Sequence, residues 1–181
     1  MPDATALREG FDRSLFNGAA DAELLARVAV QMGPLPVGAF EESEAMFRDL
    51  AMVDDRRSDD GDAAPAVDAG LRRVEAKLDL TLRLLARALP GLAVPPLTPV
   101  RLGLRGVRLD GPCAVEDESA VLRWQPAEWM PLPLLLPVRA AGRSAHASWW
   151  AFDVLPMPLA EALERHVFRL HRRMLAARKR N

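Results

Sequence analysis

The chain has 181 residues, half of them hydrophobic, which is enough apolar material for one domain with a core of its own and added elements. A formal net charge of −1 gives no global attraction for nucleic acid or another polyanion. The single cysteine, Cys113, excludes a disulfide framework within the chain, and no apolar run has the length of a signal-peptide core or a membrane span, so the expected location is the cytoplasm.

Residues 1–20 are small and polar with two glycines, and a flexible N-terminus is expected there. Residues 23–32 alternate at Val28 and Val30 and stop at Gly33-Pro34. The run fits a strand or a short helix, and the alternation favours the strand. After the turn residues Pro36 and Gly38, the spacing of Phe40, Phe47 and Leu50 predicts a helix over about 38–54. Glu41, Glu42 and Glu44 lie in its first turn, where the helix dipole favours acids. Residues 55–65 form a charged stretch that reads as a mobile linker. Its acids Asp59, Asp60 and Asp62 lack the closing glutamate of a calcium loop, so a solvated linker is the better account.

A long helix is predicted over about 66–89. Leu71, Leu78 and Leu85 recur every seven residues, with Val74 and Thr81 between them and Val67, Leu82 and Leu89 flanking the seam. That 4-3 spacing is the spacing of a coiled coil. Asp68 and Arg72, like Asp79 and Arg83, form acid-then-base pairs four residues apart. Leu80 and Leu84 lie off the seam, so the helix has more than one apolar face. Periodicity alone leaves two accounts equally open, packing on the chain's own domain or pairing between subunits. Pro90-Gly91 ends the helix.

Strand-like segments follow at residues 100–109, 120–125, 132–140 and 145–154, separated by Gly111-Pro112, Pro126 and Gly142-Arg143. In the first, alternation shifts around Gly106, where glycine permits a bulge or tight bend. Short strands at this spacing suggest a small antiparallel barrel. Residues 159–177 read as a final helix with Leu159, Leu163, Val167, Leu170 and Met174 on one face, followed by a basic tail over 178–181.

No catalytic constellation stands out, and no enzyme is expected. His166 and His171 are five apart, off a common helix face, so no metal site is expected. There is no phosphate loop, dinucleotide fingerprint or nucleophile elbow. Cys113 reads as a bystander thiol. Trp149, Trp150 and Phe152 read as core or subunit packing before a ligand-stacking platform.

Three stretches resemble the PilZ domain family, and more closely its atypical, tetramer-forming group: LRRVEAKLDLTLRLLARAL (71–89), PVRLGLRGVRL (99–109) and LERHVFRLHRR (163–173). The run PLPLLLPVRAAG (131–142) is similar to the family's following strand. The resemblance implies an α+β fold over 21–177. It would be a small antiparallel PilZ-like β-barrel with two inserted helices, the long one coiled-coil-forming, and a C-terminal helix. It also implies a non-enzymatic oligomeric adaptor in cyclic di-GMP-related regulation, expected as a homo-tetramer with a further regulatory protein partner, no nucleic acid and no membrane insertion. The implied subunit interface is Val67, Leu71, Val74, Leu78, Leu82, Leu85 and Leu89.

PilZ domains hold cyclic di-GMP with an RxxxR pair before the first strand and a [D/N]xSxxG motif on a strand. In this chain Arg101, Gly103 and Gly106 align with the second motif, and only its glycine is kept. Arg8 and Arg13 precede the first strand at the wrong spacing. Arg101 and Arg105 have the RxxxR spacing within one predicted strand, and alternation there would place both on one face. Arg101, Arg105 and Gly106 are therefore the candidate nucleotide-binding residues, with cyclic di-GMP as candidate ligand and no other cofactor expected.

Overall fold

A computed structural model describes residues 4–17, 20–59, 71, 74, 78, 81, 94–111, 119–127, 130 and 132–179, with the backbone alone for 4–7 and 52–59. In chain order the elements are α1 (Ala4–Phe16), β1 (Asp21–Gln31), α2 (Ala39–Asp59), β2 (Leu97–Gly103), β3 (Gly106–Asp110), β4 (Ser119–Gln125), β5 (Leu134–Arg143), β6 (Ala147–Phe152) and α3 (Met157–Arg178).

Alternating apolar residues close the six strands into an antiparallel barrel in the order β1-β2-β3-β6-β5-β4. Strand β1 makes closure possible. Its 11 residues, about 36 Å when extended, pair with β2 through Asp21–Arg27 and with β4 through Arg27–Gln31. The interior holds Ala26 and Val28 of β1, Val100 and Leu102 of β2, and Val107 of β3. From the other side come Leu122 and Trp124, Leu134, Leu136 and Val138, and Trp150. Residues at every second position face inward, as the pleat requires.

Helices α2 and α3 cover one side of the barrel. Phe47 of α2 is buried against Trp124 (5.9 Å between ring centres) and His166 (5.5 Å). Helix α3 buries Leu159, Ala162, Leu163, His166 and Val167. The Ser43 hydroxyl accepts from Leu135 N (3.1 Å), fastening α2 to β5. His171 Nδ1 donates to the Asp21 carbonyl (2.5 Å), fastening α3 to β1.

Four expectations need correction. Residues 1–20 are not uniformly loose, because 4–16 form α1. Phe11 and Leu15 lie four apart on one helix face, and with Phe16 they pack against Ala147 and Trp149 on the outside of the barrel. Helix α2 runs on to Asp59, taking in the first residues of the expected linker, where no proline or glycine interrupts it before Gly61. The expected strand over 100–109 is two strands, β2 and β3, folded back on each other so that Val100 pairs with Leu109 and Leu102 with Val107. The later strands are offset from their expected spans, with the β5–β6 turn at Ser144–His146 rather than Gly142-Arg143. The rest of the 55–65 linker, residues 60–65, lies outside the described residues.

Candidate functional site

The outer face of β2 and β3 carries the densest polar cluster described. Hairpin register places Arg101 directly opposite Arg108, so their guanidiniums share one face. Asp12 of α1 reaches down between them. Its Oδ2 accepts from Arg108 Nη1 (2.8 Å) and Arg101 Nη1 (3.2 Å), and its Oδ1 accepts from Trp149 Nε1 (2.6 Å). Three donors from three strands thus converge on one carboxylate.

Further acids complete each guanidinium. Arg108 meets Asp110 two-pronged, Nε to Oδ1 at 3.0 Å and Nη2 to Oδ2 at 3.4 Å, with Glu23 at 3.7 Å. Arg101 Nε donates to Asp21 Oδ2, and the guanidinium lies 4.5 Å from the centre of the Phe16 ring. Arg108 is almost wholly buried. Burial alone would lower its pKa; hydrogen bonding to Asp110 and the charges of Asp12 and Asp110 outweigh burial and raise it above the ordinary arginine value. Arg108 therefore carries a fixed positive charge.

The three expected ligand residues are not brought together. Arg101 lies in this cluster. Arg105 lies in the β2–β3 bend with its side chain exposed, and its carbonyl accepts from Phe152 N (2.9 Å). The shared face expected for the two fails because the chain reverses between them. Gly106 serves the barrel wall: a Cβ there would come within 2.2 Å of the Trp150 carbonyl oxygen, where β3 and β6 approach. Gly103, aligned with the same motif, lies under Phe16, whose Cδ1 would be 2.7 Å from an added Cβ. Both close approaches are internal to the fold.

Arg108, Asp12 and Asp21 escaped the sequence reading, which gave Trp149 a packing role and not its hydrogen bond to Asp12. Their association depends on hairpin register and on α1 crossing the strands, and no short spacing encodes either. The one readable trace was the Phe11–Leu15 spacing in a segment otherwise rich in polar residues.

Of the seven expected interface residues, Leu71, Val74 and Leu78 are described. Each is helical, and each leaves about half of its surface exposed (52%, 53% and 57%). Thr81, the next seam position, is helical and exposed as well. Val67, Leu82, Leu85 and Leu89 lie outside the described residues. Among the described residues, no group of three or more His, Cys, Asp or Glu side chains is placed to hold a metal ion, and no helix is long and apolar enough to cross a membrane.

Comparison with known proteins agrees with this architecture. The sequence model of the atypical PilZ domain, described as a cyclic di-GMP receptor, matches residues 47–180. A pathogenic protein from Xanthomonas campestris, described as a tetrameric PilZ domain self-assembled via an unusual helical bundle, is 32% identical. The match covers 96% of this chain and 99% of that one with a TM-score of 0.71. No curated protein matches. The closed six-stranded barrel with a C-terminal helix is of the PilZ type, and in this chain α2 is inserted between the first two strands. The chain belongs to the atypical PilZ domain family.

Proposed function

We propose that this protein is a non-enzymatic, oligomeric PilZ adaptor in cyclic di-GMP-related regulation, assembled as a tetramer through the helix that contains Leu71, Val74 and Leu78. The observation that carries the reading is the exposed stripe itself. Three branched apolar side chains follow 3-4 spacing on a helix, and the chain alone leaves each half uncovered. Completing the burial of each is worth roughly 1 kcal/mol per subunit, repeated along the seam. The Xanthomonas relative is described as assembling through a helical bundle, which supports the same role for this helix. Location in the cytoplasm and a further regulatory protein partner belong to the same proposal.

In this reading the barrel binds no cyclic di-GMP at its β2–β3 face. Arg101 is already engaged by Asp12, Asp21 and the Phe16 ring, and α1 lies over the strands that carry the aligned glycines. A second reading, a cyclic di-GMP receptor with a non-standard arginine site, draws on the pairing of Arg101 with Arg108, two guanidiniums facing one anionic group. Titration calorimetry with cyclic di-GMP separates the two. The adaptor reading expects no heat of binding at micromolar ligand. Binding at that level, lost on Arg101→Ala, would replace it with the receptor reading.

A further inference from the structure

Helix α3 has a second face that the barrel does not use. Met157, Glu161, Glu164, Phe168, Arg172, Leu175 and Lys179 are all exposed. At 100° per residue they fall within an arc of about 80°, opposite the buried Leu159, Ala162, Leu163, His166 and Val167. Phe168 and Leu175 expose 44% and 43% of their surface at a seven-residue spacing. The acids Glu161 and Glu164 lie before Phe168, and the bases Arg172 and Lys179 lie after it. The helix dipole favours that order of charges, but it does not account for two large apolar side chains between them.

We infer that this stripe is a two-fold contact between two copies of the chain, with their α3 helices antiparallel and Phe168 on the axis. In such a contact, residues equally far before and after Phe168 face each other. Glu164 of each copy then meets Arg172 of its partner, Glu161 lies beside the partner's Leu175, and Phe168 packs on Phe168. A parallel arrangement would set Glu on Glu and Arg on Arg, so the charge order selects the antiparallel one. Glu164 and Arg172 have no ion-pair partner within the chain among the described residues, and are available to a second copy. This surface is distinct from the Leu71–Val74–Leu78 stripe, and the contact stands or falls independently of the proposed tetramer. One helix pair buries less than the roughly 1,200 Å² of a stable interface, so the contact is weak in isolation and strengthened by any other assembly.

The test uses the full chain carrying Leu78→Glu, which removes the proposed coiled coil, and Cys113→Ser, which removes the only natural cysteine. Phe168→Cys in this background should give a disulfide-linked dimer on mild oxidation at roughly 100 µM, where weak helix contacts are populated. Arg173→Cys, off the stripe, should not. Adding Glu164→Lys should cut the cross-linked fraction about tenfold, since two like-charged pairs replace two opposite ones. Adding Arg172→Glu as well should restore it, with the helix content of every variant checked by circular dichroism. Absence of the Phe168→Cys dimer, or a dimer indifferent to the charge reversals, overturns the inference.

Discussion

Replacing Asp12 with alanine should detach α1 while leaving the barrel closed. The carboxylate takes three hydrogen bonds, from Arg101, Arg108 and Trp149. Trp149 is fully buried, and stranding its indole N–H costs about 1–3 kcal/mol. Arg108 keeps Asp110 but loses a charge-assisted bond worth about 1.5–3 kcal/mol. Arg101 keeps Asp21 and is one-quarter exposed, so its loss adds little. Undocking α1 lets water reach the orphaned donors and caps the total, giving about 3 kcal/mol for the helix–barrel contact. The barrel's own strand pairing does not involve Asp12. Hydrogen exchange reads this directly: amides of 4–16 should exchange about a hundredfold faster in Asp12→Ala, while those of β4 and β5 change little. Asp12→Asn keeps an acceptor for Trp149 and should fall between. Protection of α1 within about threefold of wild type in Asp12→Ala would refute the assignment of Asp12 as the anchor.

Other substitutions probe the remaining parts. Gly106→Ala forces a Cβ against the Trp150 carbonyl and should destabilise by more than about 3 kcal/mol in urea unfolding, because the atoms it meets are backbone and the Cβ is fixed to its own backbone. Phe47→Ala empties the space beside Trp124 and His166, whose rings also touch each other, and should cost about 3–5 kcal/mol in the same assay. A loss below about 1 kcal/mol there would mean that α2 does not carry the cap. Leu78→Glu should give monomers at low micromolar concentration by sedimentation, with unchanged circular dichroism of the barrel; an intact oligomer would remove that seam from the assembly. The raised pKa of Arg108 has a simple consequence. Its folded-state stabilisation is fully present below the ordinary arginine range and is lost only as pH rises above it, so the Arg108 contacts should be pH-independent from 5 to 9 in an Arg108→Lys comparison.

The sequence made the barrel readable where one face is wet or one face is core. The alternation of Val28 and Val30, the stop at Gly33-Pro34 and the apolar face of 159–177 correspond to β1 and α3. It failed where the deciding interaction is long-range. A two-residue reversal at Leu104-Arg105 turned one expected strand into a hairpin and exchanged Arg105 for Arg108 as the neighbour of Arg101. Apolar alternation passes from even positions (Val100, Leu102) to odd ones (Val107, Leu109) across the reversal, and a bulge within one strand shifts the pattern in the same way, so the pattern alone does not tell the two apart. α1 was missed because only Phe11, Leu15 and Phe16 mark it, and its docking surface comes from strands whose contacting residues lie 89 to 137 positions after Asp12. The heptads of 71–89 were plain, yet periodicity could not say what covers them. The exposure of Leu71, Val74 and Leu78 in the single chain turns that question into one of assembly.

Light scattering of the wild-type protein at micromolar concentration, with and without cyclic di-GMP, tests the central claim most directly. An adaptor held by the Leu71–Val74–Leu78 helix should scatter as four copies of the 19.9 kDa chain, with no change on adding the nucleotide. A monomeric mass, or an assembly that forms or dissolves with cyclic di-GMP, would contradict it.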